Sequence, residues 1–172
     1  MIILETARTI VPHATHDDAP FMLKLLNEPG WIRFIGDRNI HDLDAARTYI
    51  DERLISSYHQ NGFGSYIVTD KTGLECIGLI GIVKRDALDA PDIGYAITTA
   101  HQGKGYAFEV TSALLTYAKT DLGLTRLYGY TLPDNAASVR LLQKLGMRYL
   151  RAQDVNHQSD EVCDLYVTEF GD

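Results

Sequence analysis

The chain has 172 residues, 45% hydrophobic and 23% charged, the balance of an ordinary globular protein. Its net charge of −7 argues against general binding to nucleic acid or to an anionic membrane surface. No apolar run approaches the ~20 residues that span a bilayer, no basic-then-apolar leader opens the chain, and the two cysteines, Cys76 and Cys163, lie far apart without zinc-type spacing; these features predict one cytoplasmic domain over residues 1–172, with reduced thiols and no metal.

Residues 8–13 read as a strand. Thr15 then reads as a helix cap, with Asp18 three residues on and Pro20 in the first turn. Phe21, Met22, Leu25 and Leu26 give that helix an apolar face, and Pro29-Gly30 is expected to end it, leaving 31–37 as a loop. A second helix over 42–58 is capped by Asp42, with Leu43, Ala46, Ile50 and Leu54 along one side. Strands at 65–69 and 75–84 flank a turn at Lys71-Thr-Gly73 and predict a hairpin. Residues 92–98 read as a central strand, 104–121 as a helix and 126–131 as a strand. Asp134 opens a helix that runs to Leu145, and Gly146 sits where a left-handed cap is wanted. Strands at 148–155 and 162–168, joined by a polar loop at 156–160, close the chain. The strand–helix–strand unit from 92 to 131 predicts a right-handed parallel crossover between antiparallel hairpins.

Two motifs carry chemistry. HQGKGYA, residues 101–107, follows an apolar strand and opens a helix. Gln102, Gly105 and Ala107 fit Q-x-x-G-x-A. Small residues at such a turn let N–H groups converge on an anion at the positive end of the new helix, and Lys104 adds charge to that cradle. A Walker loop is excluded, because Gly105 follows Gly103-Lys104 where Ser or Thr is required. Gly78 and Gly81 lie inside a strand and open no helix, so they form no dinucleotide fingerprint. The second motif, PDNAAS at 133–138, opens the next helix. Charge follows the motifs: residues 101–151 hold 3 acids and 7 bases, whereas residues 152–172 hold 6 acids and no base.

This order of elements, with DIGY (92–95), QGKGYA (102–107), PDNAAS (133–138) and LGM (145–147), resembles the GNAT superfamily of acetyl-CoA-dependent N-acetyltransferases. With WIRFIG (31–36), the likeness extends to its RimL-like branch, which acetylates α-amino groups of ribosomal proteins. The resemblance implies a mixed α/β, three-layer fold: a mostly antiparallel seven-stranded sheet with helices on both faces. It places the pyrophosphate of acetyl-CoA on Gln102, Gly103, Lys104, Gly105, Tyr106 and Ala107, and the pantetheine arm along Ile97 to Thr99. Asn135 would hold that arm, with Ser138 near the sulfur. Many relatives carry a Tyr seven residues after this Asn as acid for the thiolate; here the position is Leu142, so Ser138 or a water must replace it. Asn135 and Ser138 are equally good helix-start residues.

The reaction needs a neutral amine. A peptide α-amine, with a pKa of about 8, is roughly one-tenth neutral at pH 7, while a lysine amine is neutral only about once in a few thousand. Asp92 is the base candidate, acting through a water, with His101 behind it; Glu109 reads as structural. Trp31, Arg33 and Phe34 are expected to line an acceptor site between the 31–37 loop and the 156–160 loop. There the acidic tail would suit a cationic amine. The implied partner is an amine: a protein N-terminus, or a small amine such as a polyamine or aminoglycoside. A non-catalytic acyl-CoA-binding module is the alternative from another class. A homodimer is allowed, although no residue demands one.

Overall fold

The computed structural model describes residues 1–154 and 162–171. Strands β1 (Ile2–Glu5) and β2 (Thr9–Pro12) form a hairpin, and a 3₁₀ turn at His16–Asp18 leads into α1 (Ala19–Leu26), α2 (Pro29–Phe34) and α3 (Leu43–Tyr49). The last helix continues through a π-helical stretch, Ile50–Ile55, into α4 (Ser56–Asn61). Then come β3 (Ser65–Asp70), β4 (Glu75–Val83), β5 (Asp92–Ile97), α5 (Tyr106–Thr120), β6 (Arg126–Thr131), α6 (Ala136–Lys144), β7 (Arg148–Gln153) and β8 (Cys163–Glu169). They form one sheet in the order β1-β2-β3-β4-β5-β6-β8-β7. Only the β5–β6 pair is parallel; the other neighbours run antiparallel.

Local chemistry accounts for most boundaries. The N–H of Thr15 donates to Asp18 Oδ2 at 2.7 Å, closing the expected capping box before α1. Asp42 Oδ1 accepts from the N–H of Ala45 at 2.7 Å and starts α3. Gly62 (φ +76°) stops α4 in the left-handed region that glycine enters without cost. Two expectations need correction. The sheet has eight strands, not seven, because the start of the chain pairs with β2 through a bulge (Ile2 opposite Pro12, Leu4 opposite Val11). Ile-Ile-Leu has no alternation to announce it. α1 ends at Leu26, ahead of Pro29-Gly30 as expected, but Pro29 also begins a further helix, α2, as a first-turn proline suits. Trp31, Arg33 and Phe34 therefore stand on a helix, not a loop.

Strand alternation divides the core. Ile80, Ile82, Ile93 and Leu127 face α5 and α6, packing on Val110, Leu114, Ala118 and Leu142. Ile67 and Leu79 face the other way, onto Met22, Leu25, Leu26, Trp31, Ala46, Ile50 and Leu54. Helices thus cover both faces. No helix among the described residues is long and apolar enough to cross a membrane, and Cys76 and Cys163 form no disulfide.

Gly78 of β4 lets β5 lie close. A Cβ there would stand 2.6 Å from the carbonyl oxygen of Ala96 and 2.7 Å from Ile97 Cδ1. The first neighbour is main chain and cannot swing aside. Gly78→Ala is expected to destabilise the protein by about 1–3 kcal/mol, read by chemical denaturation; a midpoint equal to the parent's would show that the strands separate freely here.

Candidate active site

Among the described residues, β5 and β6 share a single bridge, Asp92 with Tyr128, at the start of β5. Beyond it the parallel strands part. The N–H of Thr98 donates to the carbonyl of Ile77 on β4 at 2.9 Å. In an antiparallel ladder the backbone groups alternate sides, so Thr98 and Ala96 turn theirs to β4 while Tyr95 and Ile97 turn theirs toward β6 and the opening. The carbonyl of Ile97 is held by Gln102 Nε2 at 2.9 Å. The side chain of Gln102 therefore fastens the strand end to the following turn. Thr99, expected beside the arm, has both its N–H and its hydroxyl on Glu28 Oε2, each at 3.0 Å.

At one lip of the opening lies the glycine turn. Gly103 (φ +71°) and Gly105 (φ +82°) are both left-handed, and Gly105 caps α5. The first helical bond of that register runs from the N–H of Glu109 to the carbonyl of Gly105 at 3.1 Å. It leaves the N–H groups of Tyr106, Ala107 and Phe108 without helical partners at the positive end of a 15-residue helix. Gln102 to Gly105 are exposed, so the cradle opens to solvent. This is a fit for a diphosphate that the main chain itself supplies.

Arg8 braces the turn, and nothing in the sequence pattern announced it. Its Nη1 donates to the carbonyl of Lys104 at 2.9 Å, its Nε pairs with Glu109 Oε2 at 2.6 Å, and its guanidinium lies 4.1 Å from the Tyr106 ring centroid. The Tyr106 phenol donates to Asp70 Oδ1 at 3.0 Å. Glu109 thus has the structural place expected of it. Its hydrogen bonds from Thr6 and Arg8 outweigh desolvation and hold its carboxyl below the ordinary range.

At the other lip, Asn135 caps α6, its side chain accepting from the N–H of Ser138 at 3.3 Å. Ser138 is buried and lies near the Tyr95 phenol, whose pKa burial pushes up. Leu142 is core: a Cβ on Gly129 of β6 would meet Leu142 Cδ2 at 2.7 Å. The helix position that many relatives fill with Tyr is thus packed shut, and the phenol beside Ser138 comes instead from β5.

Helix α2 is tied to both lips. Glu28, its cap, holds Thr99 as described, and Arg33 pairs with Asp134 just ahead of α6. Trp31 turns inward, 7% exposed, and its Nε1–H has no acceptor among the described residues. Phe34 stands exposed at the rim, 5.2 Å from the Arg33 guanidinium. The 156–160 loop expected opposite them lies outside the described residues.

Two of the described tail acids lie away from α2, one at the closed end of the sheet and one on its other face. Glu169 pairs with Arg126 at 2.8 Å beside the start of β6, the closed end. Asp164 alternates with Leu165 and so shares the α5–α6 face with Tyr166. Asp92, expected as a base, is also placed otherwise. It is fully buried at the closed bridge, with Oδ1 accepting from Arg85 Nε at 2.7 Å and Oδ2 without a partner among the described residues. The structure does not bring it to the opening.

Among the described residues the sheet parts at one parallel pair, with a glycine turn and three unpartnered helix N–H groups on one lip and a second helix start on the other, an arrangement that suits an acyltransferase working on a nucleotide-linked thioester. Residues 8–148 match the acetyltransferase (GNAT) domain family, and the chain belongs to it. It is 30% identical over 147 residues to the uncharacterized N-acetyltransferase YoaA of Bacillus subtilis, covering 85% of this chain and 82% of that one. Its fold is similar to RimL, a ribosomal L7/L12 α-N-protein acetyltransferase solved with coenzyme A (TM-score 0.80, 16% identity, 98% of each chain). It is equally similar to a spermidine N-acetyltransferase SpeG chimera from Vibrio cholerae and hSSAT (TM-score 0.78, 17% identity, 95% and 96% covered). At such identities the likeness is one of fold. The protein is an acetyl-CoA-dependent N-acetyltransferase.

Burial pushes the Asp92 carboxyl up to about 6, against the pull of Arg85. A carboxyl raised on folding favours the protonated folded state. Its contribution to stability is present below the unfolded value of 3.8 and is lost as pH rises toward 6. Asp92→Asn, which cannot ionise, is expected to flatten the stability profile between pH 4 and pH 6 relative to the parent. An unaltered slope would show that the carboxyl ionises as easily in the fold as in the unfolded chain.

Proposed function

We propose that this enzyme acetylates a protein N-terminal α-amine by direct transfer within a ternary complex. The observation that carries the reading is the opening between β5 and β6, where the main chain of Tyr95 and Ile97 faces a gap that begins at the Asp92–Tyr128 bridge. An acyl arm laid along β5 completes that edge as an added strand would. The N–H groups on that side polarise the thioester carbonyl, an effect worth a few kcal/mol in comparable oxyanion sites. Gly103 to Ala107 hold the pyrophosphate, and Asn135 keeps the start of α6 in place beside the arm.

The enclosure of Asp92 bears on the acceptor. With that carboxylate sealed against Arg85, the acceptor best served is the one that needs least help from a base, and an α-amine has the largest neutral fraction at pH 7. Its lone pair attacks the thioester carbonyl carbon, the C–S bond breaks, and the proton lost by the attacking nitrogen passes through Ser138, or through a water that Ser138 holds, to the departing thiolate. Tyr95 stands behind Ser138 as the second hydroxyl of that relay. RimL, the α-N-protein acetyltransferase with the same fold, supports this reading.

Thiol release across a panel of peptides and small amines tests it: turnover is expected on peptides with free α-amines, and not on the same peptides with blocked termini. No free thiol with any amine would mean a protein that binds acyl-CoA without transferring it. Acetyl-CoA is expected to raise the melting temperature of the parent, and Gly105→Glu to abolish that rise by filling the cradle; a normal rise in the variant would refute the phosphate turn. Ser138→Ala is expected to lower kcat roughly ten- to hundredfold with little change in acetyl-CoA affinity. An unchanged kcat would remove Ser138 from proton transfer.

A further inference from the structure

Past β5, the sheet face opposite α5 and α6 loses its helical cover. Alternation turns Tyr128, Leu165 and Val167 to that face, and Leu88 and Ala90, from the segment between β4 and β5, pack on them. Helices α1 to α4 sit farther along the sheet, on Ile67 of β3 and Leu79 of β4. A cleft of about 390 Å³ remains. Leu88, Tyr128, Leu150 and Val167 give it apolar walls, and Arg126, Arg148 and Arg151 line it together with Asp89 and Glu169. The cleft lies at the closed end: Tyr128 is the residue that bridges to Asp92, and the strands part in the other direction.

Two of the arginines share this face because β7 is irregular. In a regular strand, residues 148 and 151 point to opposite faces. Here the β7–β8 register shifts between Tyr149 and Arg151, so that Arg148 lies opposite Val167 and Arg151 opposite Leu165. Val167 and Leu165 are two residues apart on β8, so both guanidinium groups rise from the face that holds the cleft. Bulges of this kind re-aim side chains.

The carboxylates present do not saturate these arginines. Asp89 Oδ1 accepts from the Tyr128 phenol at 2.7 Å, and its Oδ2 pairs with Arg126 Nη1 at 3.4 Å. Glu169 Oε1 accepts from Arg126 Nη2 at 2.8 Å, while its Oε2 stays 3.9 Å from Arg148. Both acids are thus engaged mainly by Arg126. Among the described residues the Arg148 side chain makes no hydrogen bond, and that of Arg151 makes one, from Nε to Gln153 Oε1 at 2.9 Å. Two guanidinium forks therefore stand beside one cleft with their outer N–H groups open. Such forks match the oxygens of a carboxylate or a phosphate in pairs. Arg126, Arg148 and Arg151 are also three of the seven bases in the positive stretch 101–151, and they serve this cleft and not the glycine turn.

We infer that the closed end of the sheet is a second binding site, apart from the acyl-CoA opening, for a small molecule that joins an anionic headgroup to an apolar body. The headgroup sits between Arg148 and Arg151, and the body lies on Leu88, Leu150 and Val167. Carboxylates and phosphate monoesters share that headgroup chemistry. The site does not depend on which amine the enzyme acetylates.

Calorimetry on the enzyme saturated with coenzyme A, which keeps the glycine turn occupied, tests the inference. The probes are phenylacetate and phenyl phosphate; phenylacetamide lacks the charge, and acetate and inorganic phosphate lack the apolar body. At least one probe is expected to bind about tenfold or more tighter than all three controls, as a charge-assisted hydrogen bond and buried apolar area provide. The tighter probe names the headgroup. Arg148→Gln and Arg151→Gln are each expected to weaken it about tenfold, with the melting rise on adding acetyl-CoA retained as evidence of folding. Without coenzyme A, Gly105→Glu is expected to bind the probe as the parent does, since the glycine turn is not its site. Probes no tighter than phenylacetamide, or than acetate and inorganic phosphate, would overturn the inference. So would full affinity in both arginine variants, or loss of binding in Gly105→Glu, which would put the anion in the glycine turn.

Discussion

The structure depends on one weakness in its sheet. A parallel pair is held by slanted bonds and must be joined by a crossover, and in this chain that pair, β5–β6, keeps a single bridge before it parts. Every other strand pair is antiparallel. The opening is therefore where unpaired main chain, the ends of two strands and the starts of α5 and α6 come together. An unpaired sheet edge inside a protein is unfavourable until something pairs with it, and the proposed acyl arm would satisfy it.

The opening is kept open by contacts on both sides. Gly78 lets β4 press against β5, while Gln102 turns back to hold the carbonyl of Ile97. On the second lip, Leu142 fills the space over Gly129 and seats α6 against β6. Helix α2 then fastens to both lips through Glu28–Thr99 and Arg33–Asp134. The two lips are thereby linked through one helix by charged contacts.

Charge is distributed accordingly. The cradle faces outward with Lys104 and the orphan N–H groups of α5, and Arg8 stiffens it from the β1–β2 connection. Of the tail acids, Glu169 sits at the closed end and Asp164 on the α5–α6 face, because alternation along β8 decides which face each reaches.

What the sequence determined by itself was local. Glycines at 103 and 105, the Thr15–Asp18 capping box, the Asp42 helix start and the buried alternation of the central strands each follow from a few neighbouring residues and are in place, while the cap of α6 falls one residue later than read, on Asn135 and not Asp134. The tertiary structure alone decided the rest. The first strand carries no period of its own and exists because β2 offers it an edge; Pro29 opens a helix because Glu28 and Trp31 are anchored elsewhere. Asp92 looks like a base until Arg85 closes over it. Backbone conformation and capping act within one turn of chain, so they can be read along it; a site assembled from distant segments depends on how whole elements pack.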